Sequence, residues 1–163
     1  MQLTSIDLIG YYGPLIQMAI TSSQLLLQKY YLMGYVIFLC ANTFLNKWLK
    51  MHYKESRPSI AEEVDVPIKI SDANWFGFPS ADVYGMPSGH AQSILYSVSY
   101  LYFVTKSMIF LIFGVFLSGV TLYQRWKFKR HSVKQLAIGS IVGVIMGWFG
   151  VYITSRFLKI IYG

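Results

Sequence analysis

Long apolar runs separated by polar connections organise this chain, and their lengths predict helices that cross a bilayer. Such a helix needs about 20 mostly apolar residues. Met108–Tyr123 qualifies, as does Leu136–Tyr162, which is rich in Ile, Val and Gly. Tyr31–Leu49 qualifies with a polar patch at Asn42, Thr43 and Asn46. Ala91–Thr105 is short, and its Ser and Tyr content predicts burial among other helices. Leu3–Ile20 carries Asp7 and Pro14 and reads as a kinked span or an interfacial helix. The pattern predicts five spans, or four if that first segment lies in the interface.

Two polar connections interrupt the apolar runs. Lys50–Ser88 is long and holds Glu55, Glu62, Glu63, Asp65, Asp72 and Asp82, six of the seven acids. Gln124–Lys134 is short and strongly basic. Two expected spans, joined at Lys106-Ser107, separate them, and two crossings return a chain to the side it left. Both connections are therefore expected to face one aqueous compartment. Ten Lys and Arg residues, Lys69 among them, fall on that side and four on the other. The positive-inside rule would make that side cytoplasmic, but chemistry can also account for several of these cations, so orientation stays open.

Composition supports lipid as the solvent. Of 163 residues, 55% are apolar and only 13% charged, where soluble domains carry about a quarter. The length suits a single domain, residues 1–163, with its motifs between 50 and 135. The net charge of +7 sits mostly beside apolar runs, and no nucleic-acid motif accompanies it, so no nucleic-acid partner is expected. The single cysteine, Cys40, allows no internal disulfide and reads as a small apolar side chain. The first residues lack the basic start of a cleavable signal peptide, so membrane targeting is expected from an uncleaved span.

Three clusters share the polar side. In KMHYKESRP, Lys50 is followed after six residues by Arg57-Pro58; PSGH runs from Pro87 to His90; in QRWKFKRHSVKQ, Arg125 is followed after five residues by His131 and then Gln135. Lys50, Arg57 and Arg125 suit a dianionic phosphate, since arginine binds two oxygens at once. Ser88 and the Gly89 amide would add neutral donors at the start of a helix whose positive end faces the anion. Two histidines offer a nucleophile and an acid near neutral pH. Each element also has a plainer reading: cations anchoring helix ends, Ser88 as an N-cap, structural histidines. A metal site at His52, His90 and His131 lacks supporting spacing or carboxylates, so neither metal nor other cofactor is expected. The conjunction of three clusters on one side favours phosphoryl transfer.

This three-part pattern resembles the type 2 phosphatidic acid phosphatase superfamily, the lipid phosphate phosphatases. The likeness runs from Lys50 to Gln135, a little over half the chain. It implies an all-α helical bundle in the membrane, with its site at one membrane–water face and no metal in catalysis. It further implies that His131 attacks phosphorus to give a phosphohistidine and that His90 protonates the leaving oxygen. Lys50, Arg57, Arg125, Ser88 and the Gly89 amide would hold the phosphoryl oxygens.

The third cluster departs from the family pattern twice. Gln124 stands where serine is usual, and Gln135 replaces the aspartate that orients the nucleophile. Four residues beyond His131, Gln135 is expected to accept the histidine ring N–H directly. Dolichyl diphosphatases, a branch of the superfamily, are similar in that glutamine, in Gly85-Met86-Pro87-Ser88 and in Gln92, although often with serine at the position of Gly89. The expected substrate is accordingly a polyprenyl, dolichyl-type diphosphate. A broader phosphatase of phosphatidic acid or related monophosphates is the alternative within the enzymes, and a non-catalytic binder of anionic lipid the alternative outside them. The expected location is the endoplasmic reticulum in a eukaryote and the plasma membrane otherwise; oligomeric state is left open.

Overall fold

The computed structural model describes residues 4–58 and 83–162. These form five helices and no strands: α1 (Ser5–Leu25), α2 (Lys29–Tyr53), α3 (Gly89–Thr105), α4 (Met108–Lys127) and α5 (Val133–Tyr162). The helices coincide with the five apolar runs. The acidic and aromatic segment from Glu62 to Asp82, including Lys69, Trp75, Phe76 and Phe78, lies outside the described residues.

The bundle is arranged around α3, which packs against all four other helices, most extensively α5. Its Ser and Tyr residues serve that position. Tyr96 OH donates to the Tyr35 carbonyl at 2.7 Å and Tyr100 OH to the Tyr31 carbonyl at 2.8 Å. Thr21 Oγ1 donates to the Ser97 carbonyl at 3.3 Å. The polar patch noted in the second run also finds its partner here. Gln92 Nε2 donates to the carbonyl and side-chain oxygens of Asn42, both at 2.9 Å, and Asn46 Nδ2 donates to Gln92 Oε1 at 2.8 Å. Gln92 is therefore a fully buried tie between α2 and α3.

Close approach of α5 to α3 depends on small residues. Gly139, Gly143 and Gly147 repeat every fourth position and present one bare face. A Cβ on Gly139 would meet the Ser88 carbonyl at 2.6 Å, and Cβ atoms on Gly143 and Gly147 would meet the α3 backbone at Gln92 and Tyr96. The stripe thus fixes the depth at which the start of α3 sits.

The polarity of the bundle is inverted. Gln17, Asn42, Gln92, Gln124 and Gln135 lie inside, while Ile112, Phe116, Ile145 and Trp148 lie outside. α4 and α5 are the two helices among the described residues long and apolar enough to cross a membrane, with mean hydropathy 1.5 and 2.0 and a third of each window buried. A soluble core helix would be mostly covered; these two are mostly bare.

Candidate active site

The described parts of both polar connections meet at one end of the bundle. Gly85 N donates to the Glu55 carbonyl at 2.8 Å, and Ser88 N donates to the Gln135 carbonyl at 3.1 Å. Lys134 Nζ reaches Glu55 Oε2 at 3.0 Å. α1 joins the same end through Lys127, whose Nζ lies 2.7 Å from the buried Asp7 carboxylate. Asp7 also closes a capping box with Thr4, so one carboxylate both starts α1 and pins it to the end of α4.

α3 begins at the PSGH segment. Ser88 is the N-cap, fully buried, its Oγ accepting from Ala91 N at 3.4 Å. The hydroxyl proton is not consumed by that contact. Gly89 follows as the first helical residue, and a Cβ there would touch nothing nearer than Asn46 Oδ1 at 3.4 Å. His90 comes next, with a buried Nε2 that has no hydrogen-bond partner.

α4 ends in a Schellman turn that sets the third cluster. Arg130 N donates to the Arg125 carbonyl at 3.0 Å and Lys129 N to the Trp126 carbonyl at 2.9 Å. Lys129 occupies the left-handed position with φ 51°. The reversal places Arg125, buried to 3% exposure, beside His131, buried to 4%. Lys50, Arg57, Arg125 and His90 all lie within electrostatic reach of His131 or of one another. The fold thus brings the three sequence clusters together. His52 stands apart: it is exposed and stacks on Trp48 at 5.7 Å. Among the described residues no group of three His, Cys, Asp or Glu side chains comes together.

The nucleophile candidate is oriented differently from the sequence expectation. His131 Nδ1 lies 2.9 Å from the carbonyl oxygen of Gly85. A carbonyl can only accept, so Nδ1 carries the proton and Nε2 keeps its lone pair. Burial, with the fields of Arg125, Arg57 and Lys50, holds the imidazole well below its ordinary pKa, against a smaller opposing effect of the Gly85 bond. The ring is therefore neutral near pH 7.

Among the described residues Gln135 makes no hydrogen bond to His131, and the expectation of a direct bond is corrected. Its Oε1 accepts from Ser132 N at 3.2 Å while Ser132 Oγ accepts from Gln135 N at 3.2 Å. This capping box, S-V-K-Q, opens α5. Its Nε2 donates to Glu55 Oε1 at 3.0 Å and to the Ser56 carbonyl at 2.9 Å. Lys134 and Gln135 together hold the Glu55 carboxyl below the usual carboxylate range. A Cβ on Gly85 would meet Gln135 Oε1 at 2.6 Å, so the same amide buttresses Gly85. Gln135 thus clamps the segment whose backbone carbonyl holds His131.

Sequence reasoning also missed Tyr11. This residue of α1 is buried to 4% exposure, with Arg125 Cζ 5.7 Å from its ring centre and the His90 ring 5.6 Å away. Gly10 and Gly13 let α1 approach α4 closely enough for this, since Cβ atoms there would collide with Gln124 and Thr121.

Comparison with known proteins accords with this geometry. The PAP2 superfamily profile matches residues 31–159, most of the chain. The chain belongs to the PAP2 superfamily. Within this PAP2 chain the match takes in α2 and α3 and leaves out α1, so Tyr11 and Asp7 come from outside it. Dolichyldiphosphatase 1 of Dictyostelium discoideum is 26% identical over 132 residues, covering 73% of this chain and 49% of that protein. The chain therefore spans about half the length of this relative. No solved structure matches it significantly.

Proposed function

We propose that this PAP2 superfamily member is a membrane phosphatase that hydrolyses a polyprenyl, dolichyl-type diphosphate through a phosphohistidine on His131. The observation that carries the reading is the hydrogen bond from His131 Nδ1–H to the Gly85 carbonyl. It leaves Nε2 as a free nucleophile beside Arg125, Arg57 and Lys50. The likeness to dolichyldiphosphatase 1 supports the substrate class.

In this mechanism the terminal phosphate rests against Arg125, Arg57 and Lys50, with the Ser88 hydroxyl and the Gly89 amide as further donors. His131 Nε2 attacks the terminal phosphorus as its bond to the bridging oxygen breaks. Once the bound diphosphate offsets the neighbouring cations, His90 holds a proton as imidazolium, and the bridging oxygen takes that proton as it leaves with the polyprenyl monophosphate. Water then attacks the phosphohistidine, giving its proton to His90 and releasing orthophosphate. The Gly85 carbonyl supports the charge that develops on the imidazole, less strongly than a carboxylate would. No step calls on a metal or another cofactor.

The inverted polarity favours an integral membrane protein in which all five helices lie in the bilayer as one domain. Polar residues face inward, and the bare apolar faces of α4 and α5 meet lipid. The isoprenoid tail stays among the acyl chains while the diphosphate reaches cations at the helix ends. The endoplasmic reticulum is the location in a eukaryote and the plasma membrane otherwise.

Phosphate release from polyprenyl diphosphate in detergent with EDTA tests the reading. The wild-type chain should be active, His131→Ala inactive and Arg125→Ala strongly impaired. Dependence on an added divalent metal, or activity surviving in His131→Ala, refutes the mechanism. A large preference for phosphatidic acid would replace the substrate with the broader monophosphate class.

A further inference from the structure

The cations around the site divide into two kinds. Lys127 is paired with Asp7 and Lys134 with Glu55, so both are tied into the scaffold. Arg130 is not. It is half-buried, its Nε is buried without a hydrogen-bond partner, and no carboxylate among the described residues pairs with it. It also lies within electrostatic reach of Arg125 and of His90. The Nε atoms of Arg125 and His90 Nε2 are likewise buried and unpartnered. Like charges gathered out of water without counter-charges are unfavourable unless an anion joins them.

The position of Arg130 is built rather than incidental. The Schellman turn hydrogen-bonds its amide to the Arg125 carbonyl, five residues back, which folds the two arginines toward one end of the bundle. Holding that turn requires the non-glycine Lys129 in the left-handed conformation. None of the phosphate-binding positions already assigned includes Arg130; one phosphoryl group is served by Lys50, Arg57 and Arg125 with Ser88 and Gly89.

We propose that Arg130 forms a second anion subsite next to Arg125, one that takes the phosphate of a diphosphate headgroup that is not attacked. The inference rests on the phosphatase reading above for its reaction, and for its site on a guanidinium with a buried, unpartnered Nε and no carboxylate partner among the described residues. A guanidinium offers two parallel N–H groups to a phosphate, so its removal should act mainly on substrates with two phosphates.

The test compares polyprenyl diphosphate with polyprenyl monophosphate, using the purified full chain in detergent and the variants Arg130→Gln and Arg130→Lys. Arg130→Gln should lower the ratio of kcat/KM values, diphosphate over monophosphate, by about tenfold or more, the size of one charge-assisted hydrogen bond. Arg130→Lys should keep part of the preference. An unchanged ratio in an active enzyme overturns the subsite and leaves the phosphatase reading intact. If the wild-type chain hydrolyses neither lipid, calorimetric binding of inorganic pyrophosphate and orthophosphate decides the matter separately. Tighter pyrophosphate binding that disappears in Arg130→Gln supports the subsite while the catalytic reading falls. Equal binding of the two anions, or a pyrophosphate preference that survives in Arg130→Gln, overturns it.

Discussion

Replacing Gly139 with alanine should disable the site from a distance. A Cβ at this position stands 2.6 Å from the Ser88 carbonyl oxygen and 3.2 Å from the Ser88 amide nitrogen and from Ala91 Cβ. The first value falls 0.4 Å short of the 3.0 Å that real Cβ contacts keep. The obstacle is backbone, so no side chain can swing away. Ser88 is further held by its amide, which donates to the Gln135 carbonyl at 3.1 Å, and by its carbonyl, which accepts from Gln92 N at 3.0 Å. Overpacking of this kind costs about 1–3 kcal/mol. The displacement falls on Ser88 and Gly89, the proposed neutral phosphate donors, and on His90 immediately after them. Misplacement by about 1 Å costs about a hundredfold in rate, so a smaller shift should lower kcat by about tenfold or more. Gly119→Ala is the control, because nothing lies within 4 Å of a Cβ there and the change also replaces a helical glycine. It should retain activity and gain up to about 1 kcal/mol. Phosphate release and thermal unfolding in detergent read both quantities. Wild-type kcat and Tm in Gly139→Ala would refute the view that the glycine stripe sets the geometry of the site.

Other consequences follow from single contacts. Gln135→Glu should reduce activity about tenfold or more by setting a carboxylate against Glu55, and the double variant with Glu55→Gln should recover part of the loss; a gain in the single variant would mean that residue 135 acts on His131 directly. Tyr11→Leu should lower kcat/KM by roughly threefold to thirtyfold through loss of the aromatic face against Arg125, whereas Tyr11→Phe should keep most activity; equal losses in both would assign the effect to the hydroxyl. His131 takes up its proton at lower pH in the fold than in the unfolded chain, so its share of stability is complete above 6.5 and is lost as pH falls toward the depressed folded value. Glu55, held below 4.5, yields its share only under that value. Between about pH 7 and 5 the wild type should therefore lose more Tm than His131→Gln, and parallel curves would contradict the depressed pKa.

Much of this arrangement was legible in the sequence because it depends on spacing and parity. The helices fall on the apolar runs, and two intervening segments suffice to bring the Lys50, His90 and His131 clusters to one end. Other contacts were hidden for physical reasons. The group that orients His131 is a backbone carbonyl, and Gly85 carries no side chain to announce it. Gln135 followed a familiar i to i+4 reading, while S-V-K-Q was itself a capping-box signature that pointed to the helix start instead. Asn42, Asn46 and Gln92 were each visible as polar residues in apolar runs; their mutual bonds required the packing of α2 on α3. Tyr11 lies on α1, and only the close approach allowed by Gly10 and Gly13 turns its ring toward Arg125. Asp7 looked like a flaw in a span because its partner, Lys127, is 120 residues away.

The central claim is that His131 Nε2 forms a bond to phosphorus. Rapid mixing of the chain with polyprenyl diphosphate in EDTA, alkaline quench and peptide mass spectrometry would locate the added phosphate. The account predicts a phosphohistidine at His131 that builds up when His90→Ala slows its hydrolysis and is absent from His131→Ala. Phosphate release by the wild type with no label at His131, or with label on another residue, would contradict it.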